Sequence, residues 1–260
     1  MKIPIYQVDA FTSEVFGGNP AAVCPLTKWI DKDIMQKIAM ENNLSETAFF
    51  VPKNNLFEIR WFTPKVEINL AGHPTLAAAW VIYNELNYKK PVIRFKSPLS
   101  GELIIEKDQD LLIMDFPSNE GKVTPAPEYL IDGLGTAPVE VIQSRDLLAI
   151  FKNQQEIEKI KPNFGILEKV ETFGIIISAE GYQCDFVSRF FAPRAGINED
   201  PVTGSAHTTL IPYWSKKLNK KKLEATQLSQ RKGKLTCEYK GERVKIAGTA
   251  KLFMKGEIFV

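Results

Sequence analysis

A ten-residue segment occurs twice in this chain of 260 residues, 129 positions apart. Arg60-Trp61-Phe62-Thr63-Pro64-Lys65-Val66-Glu67-Ile68-Asn69 lies in register with Arg189-Phe190-Phe191-Ala192-Pro193-Arg194-Ala195-Gly196-Ile197-Asn198. Arg, Phe, Pro, Ile and Asn are identical; Trp61 meets an aromatic and Lys65 a base. Each copy runs on into a glycine, a polar residue and an apolar helical stretch, at Gly72-His73 and at Gly204-Ser205. The second copy is the longer by three residues, placed in the region of Glu199-Asp200-Pro201. One repeat at this spacing is not a solenoid period. It predicts two homologous halves in an α+β fold, each a curved mixed sheet around a central buried helix. The halves are expected at 1–116 and 117–249, with the terminal strand 250–260 rejoining the first.

The central helices carry this expectation. From His73 to about Asn84, Ala77-Ala78-Ala79-Trp80 and Val81-Ile82-Tyr83 leave no polar face, so the helix must be covered on every side. Pro74 fits its first turn, where a missing N–H costs nothing. The second helix runs from about Gly204 to Leu218, with Pro212 inside it expected to produce a kink. Alternation or β-branched runs predict strands over 3–8, 21–24, 45–51, 57–63, 92–96, 101–107 and 110–116, then 138–144, 146–151, 173–178, 183–191, 223–229, 234–240, 243–248 and 250–259. A helix capped by Asp31 or Asp33 reaches about Asn43, and shorter helices are expected near 127–133 and 154–161. The segment Pro117–Pro127, with three prolines, reads as the linker.

Composition narrows the partners. A net charge of +2 gives no electrostatic footprint for nucleic acid or a membrane surface. The five lysines of 216–222 suit a solvated helix C-terminus. Cys24, Cys184 and Cys237 are odd in number and lack zinc-ligand spacing, which predicts buried reduced thiols, no metal and a cytoplasmic setting. No signal-peptide core opens the chain, and no apolar run approaches the ~18 residues of a membrane span.

The chemistry gathers around two stretches holding the only two histidines: Leu70-Ala71-Gly72-His73-Pro74-Thr75 and Asn198-Glu199-Asp200-Pro201-Val202-Thr203-Gly204-Ser205-Ala206-His207. The repeat predicts that the matched helix starts meet at a cleft, where two N-termini suit a carboxylate-bearing ligand. If Glu46, His73, Asp200 and Ser205 converge there, a carboxylate and an imidazole can exchange protons with a substrate carbon. Ser205 and the N–H groups around Gly204 can hold a carboxylate or a developing enolate. Asp200 can orient His73 or bond an amine or hydroxyl. Plainer roles stay open: Glu46 as a strand-edge glutamate, Asp200 as a partner of the helix dipole, Ser205 as a cap, His207 as a buried hydrogen-bonding group. There is no Gly-x-Ser-x-Gly elbow, no phosphate-binding glycine loop, no His-x-x-x-His pair and no nicotinamide fingerprint.

Five segments together resemble the phenazine biosynthesis PhzF-like family: Phe16-Gly17-Gly18-Asn19-Pro20-Ala21-Ala22-Val23, Ser45-Glu46-Thr47-Ala48-Phe49, Arg60-Trp61-Phe62-Thr63-Pro64, Ala71-Gly72-His73-Pro74-Thr75 and Glu199-Asp200-Pro201-Val202-Thr203-Gly204-Ser205-Ala206-His207. The resemblance implies a diaminopimelate-epimerase-like fold and a homodimer. It implies an isomerase without cofactor, similar to trans-2,3-dihydro-3-hydroxyanthranilate isomerase, that moves a proton between carbons of a small carboxylic acid. By motif, Glu46 is the proton-shuttling acid/base; His73, Asp200 and Ser205 complete the site. Asn19, Gly72, Thr203 and Gly204 are expected on the substrate. The related epimerases use two cysteines at the helix starts; Ala71 and Thr203 stand there in this chain, so that mechanism is not expected. An amino-acid epimerase working without the cysteine pair, or a non-catalytic ligand-binding or interaction protein, is the alternative. The substrate is left open.

Overall fold

The computed structural model describes residues 1–98 and 101–260. The chain divides into two units, Met1–Asp115 with Ala247–Val260 and Phe116–Ile246. The first begins with β1 (Lys2–Ala10), β2 (Asn19–Pro25), α1 (Lys32–Asn42), β3 (Glu46–Lys53), β4 (Leu56–Phe62) and β5 (Glu67–Ile68). Helix α2 (Gly72–Asn84) and strands β6 (Val92–Ser97), β7 (Gly101–Asp108) and β8 (Leu111–Pro117) follow. The second holds β9 (Lys122–Val123), α3 (Leu130–Leu134), β10 (Glu140–Gln143), β11 (Leu147–Ile150), α4 (Gln154–Lys159), α5 (Phe164–Leu167), β12 (Ile175–Glu180) and β13 (Phe186–Ala192). Then come a 3-10 turn (Pro193–Ala195), β14 (Ile197–Asp200), α6 (Gly204–Leu218), β15 (Lys222–Gln227), β16 (Gly233–Tyr239) and β17 (Arg243–Gly248). Finally β18 (Ala250–Phe259) returns to pair antiparallel with β1. The fold is α+β. No helix among the described residues is long and apolar enough to cross a membrane.

The same wiring is used twice. β1–β2 and β10–β11 are antiparallel; β2–β3 and β11–β12 are parallel, joined by crossovers that carry α1 and α4–α5. β3–β4 matches β12–β13, β4–β5 matches β13–β14, and the parallel pair β4–β6, bridged by α2, matches β13–β15, bridged by α6. Parallel neighbours need such long connections, and here the connection is the buried helix itself.

Both faces of each sheet are covered. In α2 the run His73–Ala79, Val81, Ile82 and Tyr83 is buried, as its sequence demands. It packs on β1, β2 and β3. On the other face α1 supplies Met35, Ile38 and Ala39 to a cluster with Ile3, Ile5, Cys24, Phe49 and Phe62. Asp31 caps α1 by accepting the Asp33 N–H, and Asn43 closes it in the left-handed region. In the second unit α6 buries Leu210, Ile211 and Trp214, with the Trp214 indole stacked on Phe186 and its N–H on Ser178 Oγ.

Four short elements were not foreseen: β5, β9, β14 and α5. Two residues of ladder, or one helical turn, leave no periodicity to read. The proline-rich 117–127 segment is not a free spacer. β9 pairs with β10, Ser118 N–H bonds Glu242 O, and Asn119 N–H bonds Thr208 O at 3.0 Å. Thr208 lies four residues before Pro212, which has no N–H to offer that carbonyl. The acceptor freed by the proline thus anchors the neighbouring segment. Leu76, fully buried at the centre of α2, tests the dependence on this helix. Leu76→Ala should lower stability by about 2–5 kcal/mol in urea unfolding; a loss under about 1 kcal/mol would mean α2 is not the organising core.

Candidate active site

In the first unit the site starts from a turn. Gly18 has φ +60°, and a Cβ there would lie 2.0 Å from the Ala10 carbonyl oxygen. Only glycine lets the chain fold back so closely. The hairpin then pairs Ala10 with Asn19, and the parallel register of β2 with β3 sets Ala21 beside Glu46. His73 enters from the first turn of α2. Asn19 Nδ2 lies 3.2 Å from His73 Nδ1, and His73 Nε2 lies 3.1 Å from Glu46 Oε2. All three are buried, with exposures of 0%, 7% and 9% for Asn19, His73 and Glu46. Burial drives the His73 pKa from 6.5 down to about 3, so the ring is neutral at physiological pH. The His73–Glu46 contact is close but not linear along the ring N–H, and such pairs commonly align only when substrate arrives.

The helix start behind His73 is open. Ala71 is the N-cap of α2 and provides no side-chain cap. Its carbonyl is held instead by Thr75 Oγ1, at 2.5 Å. The first amides of α2, at Gly72 and His73, therefore keep the partial positive charge of a helix N-terminus.

The second unit repeats this arrangement with other side chains. Thr203 is the N-cap of α6, again with no side-chain cap bond to the helix. Its carbonyl accepts from His207 Nδ1 at 2.8 Å. His207 thus does the work of Thr75, in the structural role that the sequence left open for it. It is fully buried, its Nε2 has no partner among the described residues, and desolvation holds its pKa down to about 4. The Thr203 hydroxyl donates to Asp200 Oδ2. Ser205, half-buried, follows Gly204 in the first turn, and its hydroxyl makes no bond among the described residues.

The Arg of the repeat holds each of these loops. Arg60 forms a two-pronged pair with Glu67, at 2.7 and 2.9 Å, and lies against the Phe62 ring. Arg189 does the same with Glu199, at 2.8 and 2.9 Å, against Phe191. The glutamate stands seven residues after Arg60 but ten after Arg189. Both glutamates stand five residues before the helix-start glycine. The three extra residues therefore lie in the turn between β13 and β14, not at Glu199–Pro201 as the sequence register suggested. Strand pairing agrees: Trp61 opposes Ile68, and Phe190 opposes Asp200. Asp200 therefore occupies the place of Ile68, and Ser205 that of His73.

Two further residues matter here that sequence reasoning missed. Gln227, fully buried at the end of β15, accepts from Thr203 N–H at 2.9 Å and donates to Asp200 O at 2.8 Å. Ser229 donates to Pro201 O at 2.6 Å. Together they clamp the 200–203 loop. Nothing in their local sequence marks them; only the parallel pairing of β13 with β15 brings them to that loop.

A family model described as phenazine biosynthesis-like protein (PhzC-PhzF) matches residues 8–256. The chain belongs to this PhzF-like family. The PhzF-like chain is 47% identical over 258 residues to a protein of Pseudomonas aeruginosa described as an uncharacterized isomerase, with 99% of each chain covered. It is 37% identical over 287 residues to the human phenazine biosynthesis-like domain-containing protein, again covering 99% of each. A crystal structure of a PhzF-family protein from Enterococcus faecalis matches with a TM-score of 0.98 and 48% identity over 100% of both chains. A hydroxyproline epimerase from Agrobacterium vitis, 8% identical with a TM-score of 0.65 over 99% and 92% of the two chains, shares the fold. The PhzF-like protein is an isomerase of this family.

Its buried imidazoles set a pH dependence. An unfolded histidine binds a proton near pH 6.5, whereas folded His207 resists until about pH 4. Between these values the unfolded chain holds more protons, so stability rises with pH and is lost on acidification. His207→Asn, which keeps a donor for Thr203 O, should flatten that rise in urea titrations between pH 4 and 6.5. An unchanged slope would show that His207 is not held neutral.

Proposed function

We propose that this PhzF-like isomerase moves a proton between two carbons of a small carboxylic acid without a cofactor, with Glu46 as the acid/base. The observation that carries the reading is the buried apposition of Glu46 and neutral His73 at an uncapped helix start. A carboxylate in a water-poor site is a competent base toward an activated C–H, and the same group, once protonated, can return the proton. Glu46 removes a proton from one carbon, leaving a delocalised enolate-type anion. The neutral imidazole donates a hydrogen bond toward developing charge. Protonated Glu46 then delivers the proton to a second carbon. Atoms and charge balance, and nothing is oxidised or reduced.

The uncapped start of α6 at Gly204 and Ser205, with the Ser205 hydroxyl, is suited to hold a carboxylate, and the uncapped start of α2 at Gly72 is suited in the same way. Asp200, fixed by the Thr203 hydroxyl and the Gln227 clamp, receives an amine or hydroxyl of the substrate. A cyclic amino-hydroxy acid of the trans-2,3-dihydro-3-hydroxyanthranilate kind fits these groups. A single base favours a proton shift over racemisation, which needs a second base on the opposite face. Ala71 and Thr203, the two N-caps, offer none. A cytoplasmic homodimer belongs to the same reading and is supported by family resemblance.

The test is solvent deuterium uptake into a panel of small cyclic and amino carboxylic acids, followed by NMR. Wild type should label at least one acid, and Glu46→Gln should slow labelling by about 10²–10⁴-fold. Ser205→Ala should mainly raise the half-saturating concentration, on the order of tenfold for one lost hydrogen bond to a charged group. Labelling that survives Glu46→Gln would refute the assignment of the base.

A further inference from the structure

The Asn19 amide sits fully buried behind the His73 ring, on the side away from Glu46. A contact with substrate was expected of Asn19, but its burial and partner suit another task. We propose that Asn19 is a positioning residue: its side-chain N–H donates to His73 Nδ1 and so locks the ring in the tautomer that carries its proton on Nε2, toward Glu46. The inference rests on the proton-transfer role of Glu46 and His73 for its catalytic meaning.

The chain of reasoning is one of hydrogen-bond valence. As the base of the proposed reaction Glu46 is ionised and only accepts, so its Oε2, 3.1 Å from Nε2 though not aligned as a hydrogen bond, favours hydrogen on that ring nitrogen. A neutral imidazole has one N–H, which leaves Nδ1 a bare acceptor. The group beside Nδ1, at 3.2 Å, is the Asn19 amide nitrogen, a donor. The two contacts of the ring therefore favour the same tautomer. Which ring nitrogen holds the proton is commonly set by the bond the other one makes. Aspartate at position 19 would present only acceptors and reverse the demand on Nδ1.

The molecule provides its own control. His207, the only other histidine, has Nδ1 against the Thr203 carbonyl at 2.8 Å, and a carbonyl cannot donate. His207 must therefore carry its proton on Nδ1, the opposite tautomer. Long-range 1H–15N correlation spectra of 15N-histidine-labelled protein at pH 7.5 read both rings at once, assigned with the His207→Asn variant. The expected wild-type result is one ring of each kind, His73 with N–H at Nε2 and His207 with N–H at Nδ1. Glu46→Gln, which removes the acceptor-only neighbour but leaves Asn19, should keep His73 in the Nε2–H form. Asn19→Asp should add a proton at Nδ1 of His73 and leave the His207 pattern unchanged.

Nδ1–H at His73 in the wild type, a switch of His73 to Nδ1–H in Glu46→Gln, or a bare Nδ1 in Asn19→Asp would each overturn the proposal. Glu46→Gln is nearly isosteric and decides the matter should Asn19→Asp fail to fold. The spectra need no substrate. Loss of the deuterium-exchange reading would leave this result standing, and an inverted tautomer would leave the role of Glu46 as base standing.

Discussion

A helix that is apolar on every face can persist in water only if protein covers all of it. Helix α2 sets that condition for the first unit; in the second, α6 buries most of its length, with Leu210, Ile211 and Trp214 in the core, and exposes only its lysine-bearing last turn. Parallel pairing of the strands on either side of each helix, β4 with β6 and β13 with β15, makes the covering sheet and the buried helix parts of one connection. The cost of burying a helix falls at its ends, where amides and carbonyls lack partners. At the two starts the N-cap carbonyl is tied down by a side chain four residues on, Thr75 or His207, while the amides remain uncapped. A stable core thereby leaves a polar, dipole-charged opening at each helix start, and the candidate chemistry is built there.

The two copies have divided the labour. The register set by Arg60–Glu67 and Arg189–Glu199 places His73 opposite Ser205 and Ile68 opposite Asp200 in the two units. Strand pairing extends the comparison: Thr47 opposes Phe62 and Ile175 opposes Phe191, so Glu46 corresponds to Gly174. A Cβ on Gly174 would meet the Phe190 ring at 2.4 Å, leaving no room for a glutamate there. The first unit thus holds a buried carboxylate beside a neutral imidazole, and the second holds a hydroxyl, a carboxylate and a clamped loop.

Much of this was legible in the residues. The repeat announced two related units, the all-apolar stretch after His73 announced a buried helix, and Gly17-Gly18-Asn19-Pro20 announced a tight turn. Glu46 was different: among apolar strand residues it looked like an edge glutamate, and only the family resemblance singled it out. Gln227 and Ser229 could not be found at all, because their partners lie more than twenty residues away and are met through a parallel strand pair. The placement of the three-residue insertion was misread because Ile197-Asn198 happens to repeat Ile68-Asn69. Ion-pair geometry, not residue identity, shows which positions correspond.

The sequence by itself determined the local states: where helices begin, which faces must be buried, which glycine must turn with positive φ, and which residue types were on hand for acid–base work. Those follow from short-range sterics and from periodic patterns of apolar residues, which act within a few positions along the chain. Tertiary structure alone decided the states of the functional groups. Whether His73 is neutral, and that the Asn19 amide and Glu46 carboxylate flank its two ring nitrogens, depend on desolvation and on which side chains pack around the ring. Both are properties of tertiary packing, and Asn19, Glu46 and His73 come from three separate elements.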